Sequence, residues 1–310
     1  MPKITFSILC YNYGRFLDQA IESCLAQCHD DLDWEILVIN DGSTDNTEEV
    51  CSRFADRIKV VNEGNKGFPS SLTRAIEYAS GDFVFLLDAD DYFLCGKLSA
   101  VLPHLLAGSL YVHDRVLPML PSQLIPEGRS MNGGSTSTIA VNRKAALDLL
   151  PVENELFFHV IRQMGHGSIV QEPFTVYRFH PDSMTNRDDP GRQNRYLSKI
   201  THCLADRIEY LLSTSNAPQW FLPEVSSRRV AAAYRAQAYY NELEAALECG
   251  ERMNSFKSYL KMMQQAVIGS TGLNELHLRM LIRTLIGRPS FRRRKKLSED
   301  RELKVIEVGE

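Results

Sequence analysis

The chain has 310 residues, with 35 lysines and arginines against 39 acids and a formal charge of −4. That balance argues against a general nucleic-acid binder. With 44% hydrophobic and 24% charged residues, the composition excludes disordered and collagen-like chains. The length suits one large domain or two smaller ones.

Seven cysteines lie scattered at positions 10, 24, 28, 51, 95, 203 and 249. None forms a CxxC pair, so no zinc ribbon or thioredoxin-like site is signalled. No apolar run approaches the ~20 residues of a membrane span. The N-terminus lacks the apolar stretch of a secretory signal. A reducing, cytoplasmic setting is the expectation.

The elements alternate from the start. Residues 4–10 form an apolar run that predicts a strand. Phe16, Leu17, Ala20, Ile21, Cys24 and Leu25 then recur at helical spacing. Residues 34–39 read as a second strand, stopped by Asn40-Asp41-Gly42-Ser43. Residues 45–54 read as a helix, with Asp45 and Glu48 spaced as a capping pair. A third strand is expected at 58–61, a polar loop at 62–68, a helix at 71–79 and a fourth strand at 82–87. The last ends abruptly in Asp88-Ala89-Asp90-Asp91. Such βα alternation implies a mostly parallel sheet with helices on both faces.

Beyond residue 109 the pattern is mixed. Pro118, Pro121, Pro126 and the Gly133-Gly134 pair predict loops around short strands. A strand is expected at 135–141, a short helix at 142–150, another helix at 153–164, and a strand at 169–179 interrupted by Pro173. After Asp189-Pro190-Gly191 the chain turns almost wholly helical, at 197–212, 226–249 and 255–267. The expected domains are 1–190, an α/β unit, and 191–310, a helical extension.

In α/β sheets of this kind, ligands bind beyond the carboxyl ends of the strands. The unusual polar residues fall there: Tyr11-Asn12, Asn40-Asp41 and residues 88–91. Three carboxylates within four residues repel one another, an arrangement that suits a hard divalent cation such as Mg²⁺ or Mn²⁺. A solvated acidic turn is the plainer alternative, and the position at a buried strand's end favours the cation. Asp41 could accept a hydrogen bond from a base or ribose, while Gly42, Ser43 and Asp45 suit turn and cap chemistry. No GxGxxG, P-loop, HExxH or GxSxG motif occurs.

Three segments, Ser7-Ile8-Leu9-Cys10-Tyr11-Asn12, Val38-Ile39-Asn40-Asp41-Gly42-Ser43-Thr44-Asp45 and Leu86-Leu87-Asp88-Ala89-Asp90-Asp91, together resemble glycosyltransferase family 2. Glu172-Pro173, Tyr177-Arg178-Phe179-His180 and Ser183-Met184-Thr185 resemble that family's closing segment. The resemblance spans residues 3–186 and implies the GT-A fold and a nucleotide-sugar-dependent transferase. It implies that Tyr11 and Asp41 hold the nucleobase, with Leu9 lining its pocket. Asp88 would face the ribose or base side, with Ala89 also contacting the donor, and Asp90 would ligate a Mn²⁺ or Mg²⁺ bridging the diphosphate. Asp91 would support that loop or contact the donor sugar, and Arg178 and His180 would sit near the diphosphate as the segment closes over the donor. The family's helix arginine is replaced here by Ser71-Leu72-Thr73, so Lys66 or Arg74 would have to substitute. The catalytic base falls on Glu153 or Glu155, two acids in Pro151-Val152-Glu153-Asn154-Glu155-Leu156 that the sequence does not separate.

The expected reaction is inverting transfer from a nucleoside-diphosphate sugar, UDP ranked first, to a carbohydrate or lipid-linked hydroxyl, as in glycan or surface polysaccharide synthesis. Nucleotidyl transfer is a rival, weakened because Gly14-Arg15 is too meagre to hold a triphosphate. A catalytically weak nucleotide-sugar-binding scaffold is the other. In the extension, Leu273, Leu276, Met280, Leu281, Leu285 and Ile286 form an amphipathic stretch, followed by Arg288 and Arg292-Arg293-Arg294-Lys295-Lys296. Peripheral contact with anionic lipid at the inner face of a membrane is one reading of that stretch, and a solvated basic tail is the other. Nucleic-acid binding there is disfavoured, since only Phe291 accompanies the cations. The helices also offer a surface for homo-oligomerisation.

Overall fold

The computed structural model describes residues 2–29, 32–120, 130–180, 182, 190–214, 217–268 and 275–286. The chain divides into two units. The first is Met1–Asn186 with Pro218–Leu222, and the second is Arg187–Ala217 with Pro223–Glu310. The first division falls four residues before the expected 190, and the return of 218–222 to the first unit was not anticipated. That return rests on Trp220, whose indole Nε1 donates to Asp148 Oδ2 at 2.9 Å.

The first unit opens with β1 (Lys3–Cys10), α1 (Gly14–Leu25), β2 (Asp33–Asp41), α2 (Thr47–Arg53), β3 (Lys59–Glu63), α3 (Phe68–Glu77) and β4 (Phe83–Asp88). It continues through β5 (Tyr92–Phe93), α4 (Lys97–Leu106), β6 (Tyr111–Met119), β7 (Ile139–Asn142), α5 (Arg143–Leu147), α6 (Leu156–Ile161) and β8 (Gly167–Arg178). All join one eight-stranded sheet in the order β3-β2-β1-β4-β7-β6-β8-β5. The first four strands pair parallel, as βα alternation requires. The other half is mixed: β7 runs antiparallel to β4 and β6, while β8 runs parallel to β6 and antiparallel to β5.

Period-two alternation in β1 sorts its residues between the faces. Ile4, Phe6, Ile8 and Cys10 join Leu17, Ala20, Ile21 and Cys24 of α1, Val50 and Cys51 of α2, and Leu98, Val101 and Leu105 of α4 in one core. Ser7 points the other way and donates to the Ala75 carbonyl of α3 at 3.0 Å. Helices therefore cover both faces, as expected.

The structure corrects several boundaries. The predicted strand at 135–141 begins as a 3-10 turn, Thr136–Thr138, and only Ile139–Asn142 is extended. The helix expected over 153–164 starts at Leu156 and gives way after Ile161 to a wide turn in which Gly165 takes φ 89°. The Asp45–Glu48 capping box does not form. Instead Asp45 Oδ1 accepts from the Thr47 amide at 3.1 Å and the Thr47 hydroxyl at 2.5 Å.

The second unit contains α7 (Pro190–Ser213), α8 (Glu224–Glu248), α9 (Arg252–Ile268) and α10 (Glu275–Ile286). Leu243, Leu247, Tyr259, Met262 and Met280 form its core. Arg283 grips Glu244 with two hydrogen bonds of 2.6 and 2.9 Å. Among the described residues no helix is long and apolar enough to cross a membrane. The predicted Ser183-Met184-Thr185, Leu273, Arg288 and the Arg292-to-Lys296 cluster lie outside the described residues, as does the side chain of Leu276.

Candidate active site

Four strand ends supply the site. The turns after β1 and β2 are locked together: Ser43 Oγ accepts the Asn12 amide at 2.9 Å, and Asn12 Oδ1 accepts the Thr44 amide at 2.7 Å. Asn12 takes φ 56°, a left-handed conformation that asparagine tolerates better than most residues. Asp45 Oδ2 accepts the Gly14 amide at 2.9 Å, joining the N-termini of α1 and α2. A side chain at Gly14 would lie 2.4 Å from Asn46 Oδ1 and 2.7 Å from the Thr47 nitrogen, so only glycine permits that junction. Burial raises the Asp45 carboxyl, but the Thr47 and Gly14 hydrogen bonds outweigh it and hold Asp45 below the ordinary carboxylate range.

Asp41 is buried at the end of β2. Its two oxygens accept the Lys66 and Gly67 amides at 2.8 and 2.9 Å, just ahead of α3. Its carboxylate thus shapes the 62–68 loop. Tyr11 stands at the end of β1 with 46% of its surface exposed. Leu9 is a buried sheet residue paired in register with Asp88, and its carbonyl accepts the Ala89 amide at 2.9 Å. Lys66 and Arg74 both pair with Glu63, at 2.9 and 2.5 Å. The two cations expected to substitute for a missing arginine therefore share one acid at the end of β3.

Beyond β4, one carboxylate oxygen from each of Asp88, Asp90 and Asp91 lies within 4.8 Å of the others. Their surroundings differ. Asp91 is fully buried, and its oxygens accept the Ser137 hydroxyl at 2.5 Å and the Arg178 amide at 3.0 Å. Asp90 Oδ2 lies 3.0 Å from His180 Nε2, and its backbone carbonyl accepts Arg178 at 2.6 Å. Burial, then the charges of Asp90, Asp91 and Glu155, push the Asp88 carboxyl well above its ordinary value. Burial and Asp90 do the same to Asp91.

Arg178 reaches its position because β5 pairs with β8, with Tyr92 opposite Val176. Its guanidinium also meets the Gln19 side chain and stacks over Phe16 and Tyr92, at 5.1 and 4.7 Å from their centroids. The His180 ring packs against Tyr13 and Phe16, and Arg15 pairs with Asp182 at 2.6 Å. The segment leaving β8 thereby folds onto α1.

Glu153 and Glu155 differ in place. Glu153 is exposed, whereas Glu155 is partly buried at the first turn of α6 and its charge bears on Asp88. Burial pushes the Glu155 carboxyl up to about 7. Asn154, between them, turns its side-chain oxygen to the Leu156 amide at 3.0 Å and starts the helix.

The acidic cluster fits a divalent cation on the chemistry of its donors. All are hard oxygens, and a bound cation would relieve the mutual repulsion that, with burial, raises the Asp88 and Asp91 carboxyls. Among the described residues no lysine or arginine is ion-paired to these three side chains. Asp91 accepts a protein donor at each oxygen, so Asp90 and Asp88 are the less committed members of the cluster.

Residues 5–118 match the family Glycosyl transferase family 2. Over those residues the chain is similar to that family. It is 39% identical over 103 residues to an uncharacterised glycosyltransferase of Nostoc, covering 32% of this chain and 31% of that protein. It is 34% identical over 95 residues to chondroitin synthase of Pasteurella multocida, covering 30% of this chain and 10% of the synthase. The alignments reach 31% to 43% of the length of the first three curated relatives. In structure the chain is similar to S. aureus TarS 1–349 in complex with UDP-GlcNAc, with a TM-score of 0.56 at 14% identity, over 86% of this chain and 92% of that one. That likeness shows the fold, the expected GT-A arrangement with a helical C-terminal region.

Sequence reasoning missed Ser137, Thr136, Gln19 and Glu63. Ser137 is the most consequential, since it also accepts the Asp88 amide at 3.1 Å. Its nearest signal was Gly133-Gly134, where a side chain at 133 would sit 1.6 Å from the Asp114 carbonyl. That glycine pair marks where the chain passes under β6 before presenting Thr136 and Ser137 to the acidic turn.

Proposed function

We propose that this protein transfers a sugar from a nucleoside-diphosphate donor to a hydroxyl acceptor, with inversion at the anomeric carbon. The observation that supports this reading best is the partly buried Asp88-Asp90-Asp91 cluster under the field of Glu155, beyond the carboxyl end of β4 in the parallel half of the sheet. Asp90 and Asp88 would hold Mn²⁺ or Mg²⁺, and Asp91 fixes the turn that presents them. When bound, the cation neutralises charge developing on the leaving diphosphate.

The chain's own residues do the rest. Tyr11 and Asp41, on the locked β1 and β2 turns, receive the nucleoside, with Leu9 and Ala89 forming the floor beneath. Arg178 and His180 hold Asp90 in place from the side of α1. Glu155 takes the proton of the acceptor hydroxyl, as a base whose pKa near neutrality suits it to accept and release protons at physiological pH. The acceptor oxygen forms a bond to the anomeric carbon as the carbon–diphosphate bond breaks, and the electron pair leaves on the diphosphate. One base opposite the leaving group inverts the centre. Exposed Glu153 is the second candidate for this role and lacks the buried setting.

UDP leads the list of nucleotides because a UDP-GlcNAc complex of TarS shares the fold. A carbohydrate acceptor, in glycan or surface polysaccharide synthesis, is supported by the chondroitin synthase relative. The test is nucleoside diphosphate release from UDP-, GDP- and dTDP-sugars with Mn²⁺. Release that needs the metal supports the reading. Its absence from every donor, with intact folding, favours a nucleotide-sugar-binding scaffold.

A further inference from the structure

Helix α9 presents two apolar surfaces. One, through Tyr259, Met262 and Ala266, is buried. The other carries Met253, Phe256, Leu260 and Val267, which are 69%, 40%, 51% and 64% exposed. Their spacing of three, four and seven places them on one stripe of the helix. Every charged residue of α9 is a cation: Arg252, Lys257 and Lys261. Lys257 and Lys261 stand one turn apart beside the stripe, as helical spacing requires. Together with Arg195 and Ser258 they line a cavity of about 300 Å³.

The acids on that cavity already have donors. Glu242 accepts from Ser258 at 3.1 Å and faces His202 Nε2 at 3.2 Å, and Glu251 accepts from Asn254 at 2.7 Å. Among the described residues neither Lys257 nor Lys261 is ion-paired, although Lys261 lies 5.2 Å from the Tyr239 ring centroid. A second copy seated on this stripe by two-fold symmetry would oppose cations to cations, which costs affinity. An anionic bilayer satisfies both features: the stripe enters the acyl boundary while flanking lysines extend to headgroup phosphates.

We propose that α9 docks this chain on an anionic lipid surface, with Lys257 and Lys261 taking the headgroup phosphates. The proposal stands independently of sugar transfer, and its test needs no turnover. The full chain is sedimented with vesicles of phosphatidylcholine alone and of phosphatidylcholine mixed with phosphatidylglycerol. It is expected to pellet with the mixed vesicles only. Lys257→Gln with Lys261→Gln should weaken binding about 25-fold, at roughly fivefold per lysine. Leu260→Ser with Val267→Ser should weaken it at least as much, and the native circular dichroism of both variants confirms their folding. Failure of the native chain to pellet overturns the proposal. So does undiminished binding by both α9 variants when neutralising Arg292 to Lys296 abolishes it. A stable dimer in sedimentation velocity that Leu260→Ser dissociates would assign the stripe to a second copy and overturn it equally.

Discussion

Ser137 donates its hydroxyl to the buried carboxylate of Asp91 at 2.5 Å, from 46 residues away in the sequence. The same oxygen accepts the Asp88 amide, so one side chain braces the acidic turn at both ends. Asp91 has no solvent to share its charge, and this hydroxyl and the Arg178 amide are the donors that hold it. The turn is therefore held by the 3-10 turn ahead of β7 and by the end of β8, outside the parallel half of the sheet that carries it.

Removing that brace should loosen the cation site before it unfolds the protein. Ser137→Ala leaves a buried carboxylate oxygen unsatisfied, at about 1–3 kcal/mol. Mn²⁺ affinity, read by titration calorimetry, should fall by roughly 10- to 100-fold, the usual effect of losing a group that orients a ligand. Ser137→Thr, which keeps the hydroxyl, should recover most of both.

Glu155 sets a pH dependence whose sign is fixed. Its carboxyl titrates near 4.5 in an unfolded chain and near 7 in the folded, metal-free one. Stability from this group is complete below about pH 4.5 and is lost as pH rises through 7, by up to about 3 kcal/mol. Glu155→Gln should thus be more stable than the native protein at pH 8 and equal to it at pH 4, by chemical denaturation in chelator. The same substitution should lower sugar transfer by about 10²- to 10⁴-fold, while Glu153→Gln leaves it near native.

The ion pair behind the site is a separate source of stability. Lys97 and Asp114 are both fully buried, 2.5 Å apart, and Lys97 also donates to the Thr138 carbonyl and Thr175 hydroxyl. Lys97→Met leaves Asp114 charged without its partner and should cost about 3–5 kcal/mol in thermal or urea unfolding. Adding Asp114→Asn removes the stranded charge, keeps an acceptor for the Phe174 amide, and should restore part of the loss.

Much of the fold was legible because its first half obeys local rules. Alternating apolar runs and helical spacing fixed β1 to β4 and α1 to α3 within a few residues, and the polar strand ends marked the site. Long-range contacts were not legible. Nothing local to Ser137 shows that it meets Asp91, and reading 135–141 as a strand hid its role. Glu63 carried no motif, yet it holds both Lys66 and Arg74. Glu153 and Glu155 look alike in sequence, and their separation needed the burial that only packing reveals.

The most direct measurement is UDP release by the purified chain from a UDP-sugar panel, with Mn²⁺ or with chelator, for the native protein and Asp90→Asn. The account predicts metal-dependent release in the native protein and a loss of at least about a hundredfold in the variant, with its unfolding transition retained. Undiminished release in chelator, or metal-dependent release by Asp90→Asn equal to native, would contradict it.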